Sequence, residues 1–264
     1  MTMENIHYVD SHAHLMGEEF QNDLDTVLEK TKAHRVDRIM IITLKEEEAR
    51  RAKAFVQSQE GKGIDFRIAT AIFPDEAGTY TEDDYARFEA MAGDPMITAV
   101  GEIGIDYHWE KDPGIQEKQR QLFIRQIETA KKLNKPILVH SRDAIQDTFD
   151  ILREHKVHGL IHCYSGTKEM AREFVKQGYY IALGGAVTFK NSRHAKEVAA
   201  DIDVNYLLSE TDCPYMAPEP VRGTRNDPSN IPYIVDVLAK CRNITVEEMA
   251  SQIDANWTRF LEGR

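Results

Sequence analysis

Eight short apolar runs recur along this chain, and a charged, amphipathic stretch follows each of them. The runs are residues 6–9, 38–44, 66–73, 97–104, 136–140, 159–162, 179–183 and 206–208. Helix-like stretches at 20–33, 46–59, 82–91, 115–133, 144–154, 168–176 and 195–200 follow the first seven, and 228–239 and 245–261 follow the eighth. Thr245, with Glu248 three residues on, makes a capping box for the last of them. Ile39-Met40-Ile41-Ile42 and Ile137-Leu138-Val139 are apolar without alternation, as parallel strands are when helices cover one face and packed side chains fill the other. Strands alternating with helical stretches make βα units. Eight such units in 264 residues predict an α/β fold, a (β/α)8 TIM barrel with residues 1–264 as a single domain. A doubly wound open sheet is the rival arrangement.

In parallel α/β folds the chemistry collects beyond the carboxyl ends of the strands, so the residues that close each run are the informative ones. Run one ends in Asp10-Ser11-His12-Ala13-His14 and run four in Gly101-Glu102-Ile103-Gly104-Ile105-Asp106. Run five ends in His140-Ser141-Arg142, run six in His162-Cys163 and run eight in Glu210-Thr211-Asp212. His12 and His14 are two apart, so on an extended strand both imidazoles share one face. Taken singly, His140 or His162 reads more readily as a hydrogen-bonded barrel histidine than as a ligand. Together, His12, His14, Glu102, His140, His162 and Asp212 put four imidazoles and two carboxylates at one mouth. That donor set suits zinc, manganese, iron or nickel better than calcium or magnesium alone. Six donors exceed what one four-coordinate ion needs, so the expected cofactor is two divalent metal ions, drawn from zinc, manganese, magnesium, iron or nickel. Asp10 shares a face with His12 and is expected as an outer acceptor for it, in preference to a satisfied polar group at the barrel mouth. Glu210 reads equally well as an orienter of the centre or as a paired structural acid. His7, His34, His155, His158 and His194 read as structural or solvated, and His108 is open.

Composition narrows the partners. With 33 Lys+Arg against 44 Asp+Glu the chain carries a net charge of −11, which disfavours a protein that coats polyanions through clustered cations. A metal-bearing mouth still attracts phosphate inside a negative molecule. The apolar runs fall far short of the roughly 18–20 residues that cross a bilayer, so no membrane is expected as a partner. Met1–His7 lack the basic opening and apolar stretch of a secretory signal, and the expected location is cytoplasmic. Cys163, Cys213 and Cys241 are odd in number and widely spaced, which predicts reduced thiols rather than a disulfide framework.

The chain resembles the TatD family of metal-dependent deoxyribonucleases, within the amidohydrolase-like barrel enzymes. The segments that carry the resemblance are Asp10-Ser11-His12-Ala13-His14-Leu15, Gly101-Glu102-Ile103-Gly104-Ile105-Asp106-Tyr107, Val139-His140-Ser141-Arg142, His162-Cys163-Tyr164-Ser165-Gly166, Glu210-Thr211-Asp212-Cys213-Pro214-Tyr215 and Arg222-Gly223-Thr224-Arg225-Asn226. They span nearly the whole chain. The resemblance implies that His12, His14 and Asp212 help hold one metal, that His140 and His162 hold the other, and that Glu102 bridges both. One departure concerns the loop after the third strand. Family members commonly carry His-Pro-His there, looking toward substrate, and this chain reads Phe73-Pro74-Asp75-Glu76.

On this reading Asp212 is the general base, with Glu102 the other catalytic carboxylate. Arg142, two beyond His140, is expected either to meet a phosphate oxygen or to form a surface salt bridge. Tyr107 is expected to stack on a base, Arg222 to bind a backbone phosphate and Arg225 to brace the loop after the eighth strand. The expected partner is single-stranded DNA, trimmed from its 3′ end as the resemblance implies, or another phosphodiester. The alternative is a dimetal hydrolase of a small ester, lactone, cyclic amide or phosphoester. A third reading, a metal-stabilised binding module, has no partner groove in the sequence to support it.

Overall fold

A computed structural model describes residues 6–263. The reading of Met1–His7 as lacking a secretory signal falls mostly on Met1–Asn5, which lie outside the described residues. The eight strands are β1 (Tyr8–Ala13), β2 (Val36–Thr43), β3 (Asp65–Thr70), β4 (Ile97–Asp106), β5 (Ile137–Arg142), β6 (Gly159–Ile161), β7 (Tyr180–Leu183) and β8 (Leu207–Ser209). They pair in parallel in sequence order. The helices are α1 (Leu24–Ala33), α2 (Glu46–Ser58), α3 (Glu82–Ala92), α4 (Pro113–Leu133), α5 (Ile145–His155), α6 (Lys168–Lys176), α7 (Arg193–Asp201), α8 (Ile231–Arg242) and α9 (Val246–Leu261). This is a single-domain (β/α)8 barrel, as the alternation of apolar runs and helical stretches requires.

Local chemistry sets the helix ends. The Asp112 side chain accepts from the Gly114 and Ile115 amides, with Pro113 in the first turn of α4. Thr245 and Glu248 close the expected capping box on α9. Asn134 and Asn243 end α4 and α8 in the left-handed region, where asparagine is tolerated better than most side chains. Helix α9 buries Met249, Ile253, Trp257 and Phe260. Its Asn256 amide donates to the carbonyls of Val204 and Leu207, both at 2.7 Å, fastening α9 beneath β8.

The ring closes where β8 returns to β1. Ala13 and Cys213 form a parallel bridge there. The Asp212 amide donates to the His12 carbonyl, and the His14 amide to the Cys213 carbonyl, each at 2.9 Å. Ser209 Oγ donates to the Val9 carbonyl at 2.7 Å. The first strand runs on past the apolar residues 6–9 to Ala13, because Asp10, Ser11 and His12 are buried at the barrel rather than released to a loop.

Candidate metal centre

The backbone aims the polar residues inward by breaking its own ladders. The β1–β2 register shifts between Asp10 and Ala13, and the β4–β5 register shifts between Val100 and Ile103. Such irregularities re-aim side chains, and His12 and Glu102 sit within these two. Beyond them β4 and β5 come back into register, with Gly104 opposite His140. Gly104 has φ +146°, and a Cβ there would lie 1.9 Å from the His140 carbonyl oxygen. Only glycine permits that approach. Asp212 lies just beyond β8 at φ 54°, and its amide bond to the His12 carbonyl turns its carboxylate toward the two β1 imidazoles.

The six side chains meet around Glu102, whose two oxygens face different neighbours. Oε2 lies 3.3 Å from His12 Nε2 and 3.7 Å from His14 Nε2. Asp212 Oδ1 completes that group at 3.8 Å from His12 Nε2 and 3.6 Å from His14 Nε2, and the two imidazole nitrogens are 3.2 Å apart. Oε1 lies 2.7 Å from His140 Nδ1 and 3.0 Å from His162 Nε2. With metal–donor bonds of about 2.0–2.2 Å, neighbouring donors of a tetrahedral shell stand about 3.3–3.6 Å apart and those of an octahedral shell about 3 Å. His12, His14 and Glu102 form one set of donors close enough to hold an ion, and Glu102, His140 and His162 form another. Nitrogen and carboxylate donors at these separations suit divalent metal.

Electrostatics agree with the geometry. Burial works to raise the Glu102 carboxyl, but the charges of His162 and His12 outweigh it and hold the group well below the usual carboxylate range. Asp212 is lowered in the same way, burial being overcome chiefly by His14 and His162. Burial disfavours the His140 cation, yet Asp106 and Glu102 push its pKa up to about 9. His12 is lowered by burial and by His162. The low carboxyl values favour the ionised form that a divalent cation would need in its ligands.

Around the six stand residues that fix their orientation. Asp106 Oδ2 lies 3.0 Å from His140 Nε2, and its Oδ1 accepts from the amides of His108 at 2.8 Å and Trp109 at 3.3 Å. Asp106 ends the fourth-strand motif, and no local pattern there announces this double engagement. Glu210 Oε1 lies 3.2 Å from His162 Nδ1 and accepts from the Cys163 amide at 2.5 Å, so its charge faces that imidazole without a hydrogen bond to the ring. Asp10 meets His12 at its backbone and not at its ring. Its oxygens accept from Thr211 N at 2.8 Å, Thr211 Oγ1 at 2.6 Å and the His12 amide at 3.3 Å, while His12 Nδ1 has no partner among the described residues. Asp10 ties β1 to the end of β8 instead of orienting an imidazole.

A cavity of about 1020 Å³ opens above the six, and Arg142, Phe73, Asp75, Trp109 and Tyr215 are among its walls. No carboxylate lies within ion-pair reach of Arg142 among the described residues; its guanidinium instead sits 5.5 Å over the Trp109 ring. The Phe73 ring meets the His140 ring edge-on, centroids 5.2 Å apart. Burial, and then the charge of Asp106, raise the Asp75 carboxyl. Two expected contact residues face elsewhere. Tyr107 is not on the cavity wall, since its hydroxyl donates to Asp147 at 2.7 Å and accepts from Arg120 at 2.5 Å. Arg222 stacks on Phe189, its guanidinium 4.1 Å from the ring centre, and also stays outside the cavity. Arg225 braces the last loop as expected, through Asp23 at 2.7 and 3.0 Å. His34, His155 and His158 bond to Ser229, Glu128 and Phe260, away from the mouth, and His108 to Asp143. Cys163, Cys213 and Cys241 are free thiols.

A sequence profile described as TatD related DNase matches residues 9–262. The chain belongs to the TatD family. Its relatives in that family include the uncharacterized metal-dependent hydrolase YabD of Bacillus subtilis (strain 168), 39% identical over 255 residues that cover 95% of this chain and 97% of the relative. The uncharacterized metal-dependent hydrolase YcfH of Escherichia coli (strain K12) is 33% identical over 261 residues, 96% of this chain and 94% of the relative. The crystal structure of YJJV, a TatD homolog from Escherichia coli K12, superposes with a TM-score of 0.86 at 26% identity, covering 96% and 97% of the two chains. The TatD-family chain described here is a metal-dependent hydrolase. No helix among its described residues is long and apolar enough to cross a membrane.

Proposed function

We propose that this hydrolase binds two divalent ions and cleaves phosphodiester bonds of single-stranded DNA from the 3′ end. The observation that carries the two-ion reading is the division of Glu102, one oxygen toward His12 and His14 and the other toward His140 and His162. In this reading His12, His14 and Asp212 hold one ion, His140 and His162 the other, and Glu102 spans them. The family description supports DNA as substrate, and the choice of strand end follows the family resemblance.

Two divalent ions, when bound, lower the pKa of a shared water toward neutrality and offset phosphoryl charge. Asp212, kept ionised by its imidazole neighbours, accepts the proton of the attacking water and returns it to the leaving oxygen. Arg142 meets a non-bridging phosphate oxygen with a guanidinium that no carboxylate claims. Asp106 keeps the His140 ring in its donor orientation, and the Glu210 carboxylate faces His162.

A second reading, a small ester, lactone, cyclic amide or phosphoester as substrate, draws on the acidic side of the cavity, where Asp75, Glu18, Glu19 and Glu47 line the wall and disfavour a long polyanion. The test is a chelated preparation reloaded with zinc, manganese, magnesium, iron or nickel and assayed on 3′-labelled and 5′-labelled single strands beside a lactone and ester panel. Shortening from the 3′ end only in reloaded samples is the expected result. Turnover of the small panel with intact DNA overturns the nuclease reading.

A further inference from the structure

Large apolar side chains are exposed at few places among the described residues, and three of the five, Trp109, Tyr215 and Met216, line the one cavity above the donor cluster. Trp109 is 70% exposed and Tyr215 58%. Leaving aromatic surface of that size in water is unfavourable. The turn that carries Trp109 is set by the Asp106 carboxylate. Its ring meets His108 edge-on at 4.6 Å, and the Arg142 guanidinium lies over it. Tyr215 meets the His14 ring edge-on at 6.3 Å. Trp109 follows β4 and Tyr215 follows β8, four strands apart in a ring of eight, so they rise from opposite sides of the mouth.

We infer that Trp109 and Tyr215 are paired stacking platforms for the nucleobases on either side of the scissile phosphate. The inference rests on the phosphodiesterase reading. Planar bases present π-faces whatever their sequence, and aromatic side chains take them at about 1–3 kcal/mol per base. The Arg142 cation beside the Trp109 indole adds the charge that the adjoining phosphate needs. Stacking on two opposed rings places the strand across the donor cluster without reading its sequence, so the substrate class is single-stranded, with bases free to splay. Bases inside a duplex are stacked on both faces and cannot take two opposed rings.

The chain has two tryptophans, and Trp257 is buried at 1% exposure, so quenching of intrinsic emission by a bound base reports on Trp109. The metal-loaded enzyme is titrated with a short phosphorothioate oligothymidylate, and Trp109→Ala, Trp109→Phe and Tyr215→Ala are assayed on oligothymidylate and on an oligomer with abasic sites at the cleaved end. Expected are quenching in wild type that Trp109→Phe abolishes, and a KM for oligothymidylate raised roughly 5- to 150-fold in Trp109→Ala, largely restored in Trp109→Phe. The wild-type preference for the base-bearing substrate over the abasic one shrinks in both alanine variants. Cleavage of DNA by wild type with no quenching and an unmoved KM in Trp109→Ala overturns the platforms and leaves the nuclease reading intact. Quenching without cleavage upholds the platforms and sinks that reading, and the absence of both overturns the two together.

Discussion

Replacing Gly104 by alanine tests whether the approach of β4 to β5 builds the centre. An ideal Cβ at this position lies 1.9 Å from the His140 carbonyl oxygen, 2.9 Å from its carbon and 3.1 Å from its nitrogen. A carbon and a carbonyl oxygen tolerate about 3.3 Å, so the strands must part by about 1.4 Å at this pair. That movement breaks the two nearest ladder hydrogen bonds, at about 1 kcal/mol each. Alanine at φ +146° adds about 2 kcal/mol of backbone strain. A loss of about 4 kcal/mol in a chain this long lowers Tm by roughly 8–16 °C. His140 moves with its backbone, and a displacement of about 1 Å at a catalytic centre costs on the order of 100-fold in rate. Thermal melts with and without metal, paired with turnover, measure both effects. Gly93→Ala is the control, since Gly93 has φ −73° and its Cβ would find no atom closer than 3.4 Å. A Gly104→Ala enzyme that melts and turns over with the wild type refutes the contact.

Three other substitutions probe separate parts of the molecule. Glu102→Gln keeps the shape and removes the charge shared by both donor groups, so metal content by emission spectrometry should fall together with activity; full metal occupancy in that variant contradicts the spanning role. Asp212→Asn should keep the fold and lower turnover by on the order of 10²–10⁴-fold, and wild-type turnover would remove Asp212 as the base. Asp94 is held below the usual carboxylate value, by Lys53 first and then by the Met96 amide. Its stabilising contribution is therefore complete above the unfolded value of 3.8 and is lost as pH falls through the lower folded value. Asp94→Asn should cost up to about 1 kcal/mol at neutral pH and little in strong acid; a deficit independent of pH in urea melts contradicts the ion pair.

Fold and donors were legible in the sequence for one reason. Parallel strands write uninterrupted apolar runs, and the residues that break off each run stand at the mouth. That rule located His12, His14, Glu102, His140, His162 and Asp212 without a contact map. It failed one step further out, where the chain has left the strand. Tyr107 and Trp109 both follow β4, but the Asp106 carboxylate folds the backbone there into a turn, so period-two reasoning no longer says which ring faces the cavity. Arg222 and Asp10 escaped for a related cause. Their partners, Phe189 for one and Thr211 for the other, lie 33 and 201 residues away, and no local pattern announces such a pairing.

The seam between β8 and β1 is stitched by main-chain groups of His12, His14 and Asp212, the same residues whose side chains crowd Glu102. An ion held among those side chains would therefore also act as a rivet in the barrel wall. Stripping it should relax the cylinder first along that join, where amide deuterium uptake at His14 and Asp212 quickens before the strands on the far side register any change.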